Sequence, residues 1–335
     1  MPHPARVLAS PSARRPHLAL ASPAGVTALL TILAVLSVTV FLTLGLEGNI
    51  AYILPRRITR VSAMVLVGVA VALSTVMFQT VTANRILTPS IMGFDALYLL
   101  LQTVVVFVFG ASAWLTTDQS VRFLIEVALM VTFSFLLYRW LFTGAVTSLH
   151  LMLLVGIVLG TLFRGLASLL QRLIDPSEYI ILQDLFFASF NLVDPVLVWI
   201  SAALVAACAA LAWRMRHVLD VMALGRSHAI NLGVNHHRTV MTVLVMSSLL
   251  VSVSTALVGP VTFFGLLIAS LAYQMCRSFS HGWILAITSL LGIITLVGGQ
   301  LVLEHVFGFA TALSIVIEFT GGIVFLFLLL RGSLK

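Results

Sequence analysis

VSAMVLVGVAVALSTVMFQTVTA, residues 61–83, carries no charged side chain. As an α-helix rising 1.5 Å per residue it reaches about 34 Å, enough to cross a hydrocarbon core of about 30 Å. Lipid offers the backbone no hydrogen-bond partner, so such a stretch must satisfy its own N–H and C=O groups, as a helix does. Runs of the same kind recur in both directions along the chain. They place spans near 22–46, 61–83, 91–112, 120–141, 149–173, 193–213, 239–258, 261–275, 282–303 and 309–331. Pro89 and Gly93 introduce the third, and Gly259-Pro260 separates the seventh from the eighth. An interrupted or re-entrant helix fits either place, provided protein or water covers its backbone. The expected fold is all-α, a polytopic transmembrane helical bundle of about ten spans.

Composition agrees. Of 335 residues 61% are hydrophobic and 9% charged, where a soluble chain has about 25% charged. Lys335 is the sole lysine. A Walker A loop needs a lysine for the nucleotide phosphates, and a Schiff base needs one for its carbonyl, so neither chemistry belongs to this chain. There is no H-E-x-x-H zinc motif and no cysteine cluster. Cys208 and Cys276 sit in or beside apolar segments and read as small core residues, not as a disulfide or metal ligands. No catalytic, cofactor-binding or metal-ligating residue is expected.

Arg6, Arg14 and Arg15 precede an apolar stretch from Ala21 to Leu46, longer than the roughly 7–15 residues of a secretory signal core. Residues 1–20 therefore read as a cytoplasmic tail and 21–335 as one transmembrane domain. With the N-terminus inside, Arg6, Arg14, Arg15, Arg85, Arg139, Arg214, Arg216, Arg226, Arg238, Arg277, Arg331 and Lys335 fall on the cytoplasmic side. Only Arg56, Arg57, Arg60, Arg122 and Arg172 fall outside. By the positive-inside rule both termini are cytoplasmic.

Two polar segments stand out. Residues 214–238, a cytoplasmic loop, carry Val218, Val221, Met222, Ala229, Ile230 and Leu232 at amphipathic helical spacing, broken by Gly225 and Gly233. The segment reads either as an interfacial linker or as a docking element for a cytoplasmic partner. On the outer side, LPRRITR puts Arg57 and Arg60 on one helical face. That pair reads either as arginines snorkelling at a helix end or as a patch for an acidic external protein. Asp95, Glu126, Arg164, Asp184, Asp194 and Glu318 read as ionisable residues within spans. Such charge costs about 3 kcal/mol at a helix centre and calls for a partner. Arg164 and Glu318, the deepest, are candidates to pair as a structural ion pair, a role in the pathway being the alternative. Gly156 and Gly160 form a G-x-x-x-G suited to close helix packing.

RITRVSAMVLVGVAVALSTVMFQ leading into NRILTPSIMGFD, then VMALGRSHAINLGVN, then STALVGPVTFFGLLIASLAYQM, resemble in order and spacing the FecCD family of ABC importer permeases. The likeness runs over about residues 20–335. It implies a type II ABC importer permease architecture. It also implies a function, that of the membrane-spanning subunit of an ATP-driven importer of iron–siderophore complexes at the bacterial inner membrane. Vitamin B12 or haem are the alternative substrates. It assigns Leu224, Gly225, Ala229, Leu232 and Gly233 to coupling with the ATPase. Arg57 and Arg60 are assigned to docking of the binding protein. The partners implied are cytoplasmic ABC ATPase subunits that bind ATP and magnesium, a periplasmic or lipid-anchored siderophore-binding protein, and a second permease subunit. That second subunit is a paralogue or another copy; the lipid bilayer surrounds both and no nucleic acid is involved. The sequence departs from the family pattern at Thr59, at Ala269-Ser270 and at Ser314, and Glu304 stands where the vitamin B12 branch has an outer arginine. These departures resemble the iron–siderophore subgroup, often catecholate importers. On the residues alone, an ion-coupled secondary transporter using the intramembrane acids stays open as the rival reading, as does a channel or scaffold.

Overall fold

The computed structural model describes residues 22–45, 49–143, 149–191, 193–276, 278–306, 308 and 313–330. The N-terminal tail, Glu47, Arg277, Arg331 and Lys335 lie outside them. Thirteen α-helices are present among the described residues: α1 (Pro23–Thr43), α2 (Ile50–Thr82), α3 (Phe94–Phe109), α4 (Ala111–Thr116), α5 (Gln119–Thr143), α6 (Leu149–Gln171) and α7 (Pro176–Leu185) come first. Then follow α8 (Pro195–Met222), α9 (Arg226–Asn231), α10 (His236–Val258), α11 (Phe264–Met275), α12 (His281–His305) and α13 (Leu313–Leu330). Seven of these are long and apolar enough to cross a membrane, and α3, α11 and α13 are shorter apolar helices. Together they match the ten expected segments one for one.

Burial sorts the helices. The apolar windows of α2 and α10 are each 72% buried, against 17% for α1 and 22% for α6. The centre of the bundle is therefore α2 and α10, with α12 and α8 packed on α2 and α5 on α10. Without a hydrophobic force between helices in lipid, close packing must hold them together, and small residues allow it. Helices α2 and α12 meet at Gly68 and Gly292, where a Cβ on Gly292 would stand 2.7 Å from the Gly68 carbonyl oxygen.

The two segments marked by breakers are the interrupted ones. A 3-10 turn at Pro89–Met92 precedes α3. Gly93 joins them and packs on α6, where a Cβ would come within 3.0 Å of the Gly160 Cα and 3.2 Å of the Gly156 oxygen. The G-x-x-x-G thus packs against an irregular backbone and covers it with protein. Helix α11 has 12 residues, about 18 Å. The backbone leading into it is also covered: Val258 accepts from the Ser189 N–H at 2.7 Å, and Gly259 abuts Ala188.

Three boundaries differ from the sequence reading. Helix α2 starts at Ile50, so the arginine cluster lies on its first turns, with Pro55 inside the helix. Helix α8 runs to Met222, so residues 214–222 are helix and not loop. Short helices α4 and α7 pack together beside α3. Asp184 belongs to α7, not to a span, and Asp194 caps α8 by accepting from the Val196 N–H at 2.7 Å. Cys208 and Cys276 are buried and free.

Candidate functional site

The polar segments lie at opposite ends of the bundle, because α2 begins at one end and α8 finishes at the other. At the second end α8 stops and α9 makes a short bridge to α10. Gly225 opens α9 at φ +97° and ψ 164°, a conformation essentially restricted to glycine. Gly233, at φ +83°, closes it. The Gly233 N–H bonds to the Ile230 oxygen and the Val234 N–H to the Ala229 oxygen, both at 3.0 Å. That pair of bonds is the Schellman arrangement, which satisfies two carbonyls left over at a helix end. Asn235 then caps α10, accepting from the Arg238 N–H at 3.1 Å.

Within this frame Ala229 is fully buried and anchors α9 on the bundle. Leu224, Ile230 and Leu232 are 59%, 51% and 62% exposed. Arg226, His228, His236 and His237 surround them in sequence. The five residues singled out in the sequence come together on one short turn: Ala229 is buried, Gly225 and Gly233 bound the helix at positive φ, and Leu224 and Leu232 are exposed.

At the opposite end, Arg57 donates to the carbonyl oxygens of Phe41 (3.0 Å), Leu44 (2.6 Å) and Gly45 (3.2 Å). Helix α1 has no basic residue in its last turn. Its final carbonyls lack intrahelical partners, and a guanidinium from α2 supplies them. Arg60 lies 3.5 Å from the Glu304 carboxylate. Arg56 stacks over the Tyr52 ring at 4.1 Å. All three arginines thus have partners within the chain, and Arg57 and Arg60 hold α1 and α12 to α2.

The buried acids are accounted for differently. Glu126 accepts from Gln102 at 2.7 Å, and Gln102 in turn accepts from the Trp114 indole at 3.1 Å. Asp95 sits in the first turn of α3 beside Ser90 and Thr262, with one carboxylate oxygen unpaired. Arg164 and Glu318 form no ion pair within 4.0 Å among the described residues, so the candidate pair is not formed. Sequence reasoning missed a three-residue cluster at the α9 end, Thr80, Asp220 and His281. The Asp220 Oδ1 is 2.7 Å from His281 Nδ1, and His281 Nε2 is 2.8 Å from Thr80 Oγ1.

A bundle of long apolar helices with interrupted segments, and a short glycine-bounded helix at one end, has the build of a transport permease. The chain belongs to the FecCD transport family, whose pattern matches residues 26–331. It is 46% identical to the petrobactin import system permease protein YclO of Bacillus subtilis, over 91% of this chain and 97% of that one. It is 39% identical to the petrobactin import system permease protein FatC of Bacillus anthracis, over 83% and 79%. In fold it matches the inward-facing conformation of a putative metal-chelate type ABC transporter, with a TM-score of 0.81 and 22% identity over 92% of this chain.

Proposed function

We propose that this chain is the permease subunit of a bacterial ABC importer for ferric siderophores. The observation that carries the substrate class is the identity, over nearly all of both chains, to a permease named for petrobactin import. The chain sits in the inner membrane with both termini in the cytoplasm. ATP and magnesium bind to separate ATPase subunits that seat on the α9 turn through Leu224, Gly225, Ala229, Leu232 and Gly233. A periplasmic or lipid-anchored binding protein delivers the siderophore at the Arg57 end. A second permease subunit, a paralogue or another copy, completes the pathway. Transport is alternating access without chemistry in this chain. A ligand shifts such an equilibrium only through different affinity for the two states, so tight binding belongs to the delivery protein and the pathway binds weakly.

Deletion of the gene tests the substrate. Growth on ferric petrobactin as sole iron source is expected to be lost, and vitamin B12 uptake to be kept. The reverse pattern would move the chain to corrinoid import.

Arg57 and Arg60 are proposed to receive carboxylates of the binding protein while holding α1 and α12. Charge reversal at Arg57 would uncap α1, so Arg57→Gln with Arg60→Gln is the cleaner pair. Exposed ion pairs contribute about 0.2–1 kcal/mol each, so the double variant is expected to weaken binding-protein affinity by about twofold to thirtyfold. The defect is expected to be larger at low salt, as the Debye length grows from about 10 Å at 0.1 M to about 30 Å at 0.01 M. Affinity for the permease in nanodiscs at two salt concentrations checks this; unchanged affinity at low salt leaves the arginines as internal braces only.

A further inference from the structure

Helix α12 begins without a cap of its own. Its N-cap residue, Ser280, makes no capping hydrogen bond with its side chain. The first N–H groups of a helix have no intrahelical partner, and a carboxylate is favoured beside them. Here the carboxylate comes from another helix. Asp220, in the last turn of α8, accepts from the His281 backbone N–H at 2.6 Å and faces the same residue's Nδ1 at 2.7 Å. Its second oxygen lies 3.7 Å from the exposed His217. The far ring nitrogen of His281 meets the Thr80 hydroxyl at 2.8 Å, in the last turn of α2. Thr80 also reaches the Val76 oxygen at 2.8 Å. His281 is 3% exposed. Three side chains therefore link the ends of α8, α12 and α2 in one hydrogen-bonded line.

The position of this line matters. Asp220 lies five residues before Gly225, at the root of the turn that bears α9. A cavity of about 280 Å³ lies beside both the line and the turn, lined by Thr80, Asp220 and His281 together with Leu224 and Tyr273. The turn has room to move on one side and is tied on the other. A charge-assisted hydrogen bond holds a short, fixed length, whereas apolar contacts slide over one another. Force on the turn would thus pass through Asp220 to the start of α12 and, through His281, to the buried helix α2.

We propose that Asp220, His281 and Thr80 form a strut that transmits movement of the α8–α9 turn to α2 and α12, with Asp220 and His281 as positioning residues for transport. The inference rests on the turn being the ATPase-docking element. The test uses the whole importer in proteoliposomes, with ATPase and binding protein, and reads siderophore uptake per ATP hydrolysed. Asp220→Asn and His281→Asn are each expected to lower that ratio by about threefold to tenfold with the ATPase still co-purifying, and the double variant to be no worse than either. Thr80→Val severs the α2 end while leaving the α12 cap in place, and the same uncoupling is expected. A normal ratio in a stably assembled Thr80→Val importer, or losses that multiply in the double variant, overturns the strut and leaves a static helix cap. Loss of ATPase co-purification in Asp220→Asn also overturns it, because Asp220 would then be part of the docking surface. Failure of the docking reading shows separately, as normal ATPase recovery and transport in Gly225→Leu.

Discussion

Gly225→Leu and Gly233→Leu are each expected to reduce uptake to background while leaving membrane insertion and yield unchanged. No atom lies within 4 Å of a Cβ added at either position, so neither change crowds a neighbour. The harm comes from the backbone. At φ +97° and ψ 164° a non-glycine residue costs on the order of 1–3 kcal/mol, and at φ +83° about 1–2 kcal/mol. The cheaper course for the chain is to change the dihedrals, which swings α9 and takes Leu224 and Leu232 off their surface. The two positions also differ in a way that can be checked. Asparagine tolerates the left-handed region, so Gly233→Asn is expected to keep much of its transport, whereas Gly225→Asn, outside that region, is expected to lose it. Co-purification of the ATPase with each variant, beside uptake, reads the result. Normal ATPase recovery and normal uptake in both leucine variants would remove the coupling role from this turn.

The second large effect lies in the packing. Gly292→Ala would drive a methyl group to within 2.7 Å of the Gly68 oxygen and 3.1 Å of its carbonyl carbon. Both are backbone atoms of α2, one of the two central helices, so relief requires α2 and α12 to separate. Overpacking of this kind costs about 1–3 kcal/mol. Gly298 lies on the same helix with nothing within 4 Å of an added Cβ. There alanine is expected to be neutral or to stabilise by up to about 1 kcal/mol through helix propensity. Melting of the two variants in the same detergent should move in opposite directions or, at the least, fall only for Gly292→Ala. An unchanged melting temperature for Gly292→Ala would mean that the α2–α12 contact is looser than described.

Much of this architecture is legible in the sequence because lipid imposes a blunt rule, and long apolar runs obey it. What hydropathy loses is the ends. Helix α8 continues through Arg214, Arg216 and His217 to Met222, since those residues are polar but not helix-breaking and the first backbone obstacle is Gly225. Helix α2 begins eleven residues before the apolar run, its arginines and Pro55 disguising helix that Asn49 caps. Glycine at 93 and proline at 89 correctly flagged the interrupted third span, because those residues change backbone options locally. Partnerships between distant residues leave no such local mark. Nothing around Asp220 announces His281, and the cap it provides is visible only when Ser280 is seen not to supply one. Arg57 belongs to the same class: the last turn of α1 lacks a cation, and the guanidinium that serves it arrives from the next helix. The α9 turn was legible in position from Gly225 and Gly233. Which of its apolar residues is buried and which exposed is not, since helical spacing alone does not say that Ala229 faces the bundle and Leu232 faces away.

Reconstitution tests the central claim most directly. The chain, with its partner permease subunit, ATPase and binding protein, is placed in liposomes holding ATP and magnesium at the face that bears α9, and entry of radiolabelled iron bound to petrobactin is followed. The account predicts accumulation that requires ATP, the binding protein and the siderophore together, and that stops with Gly225→Leu. Accumulation driven by a proton or sodium gradient without ATP would contradict it and make the chain a secondary transporter.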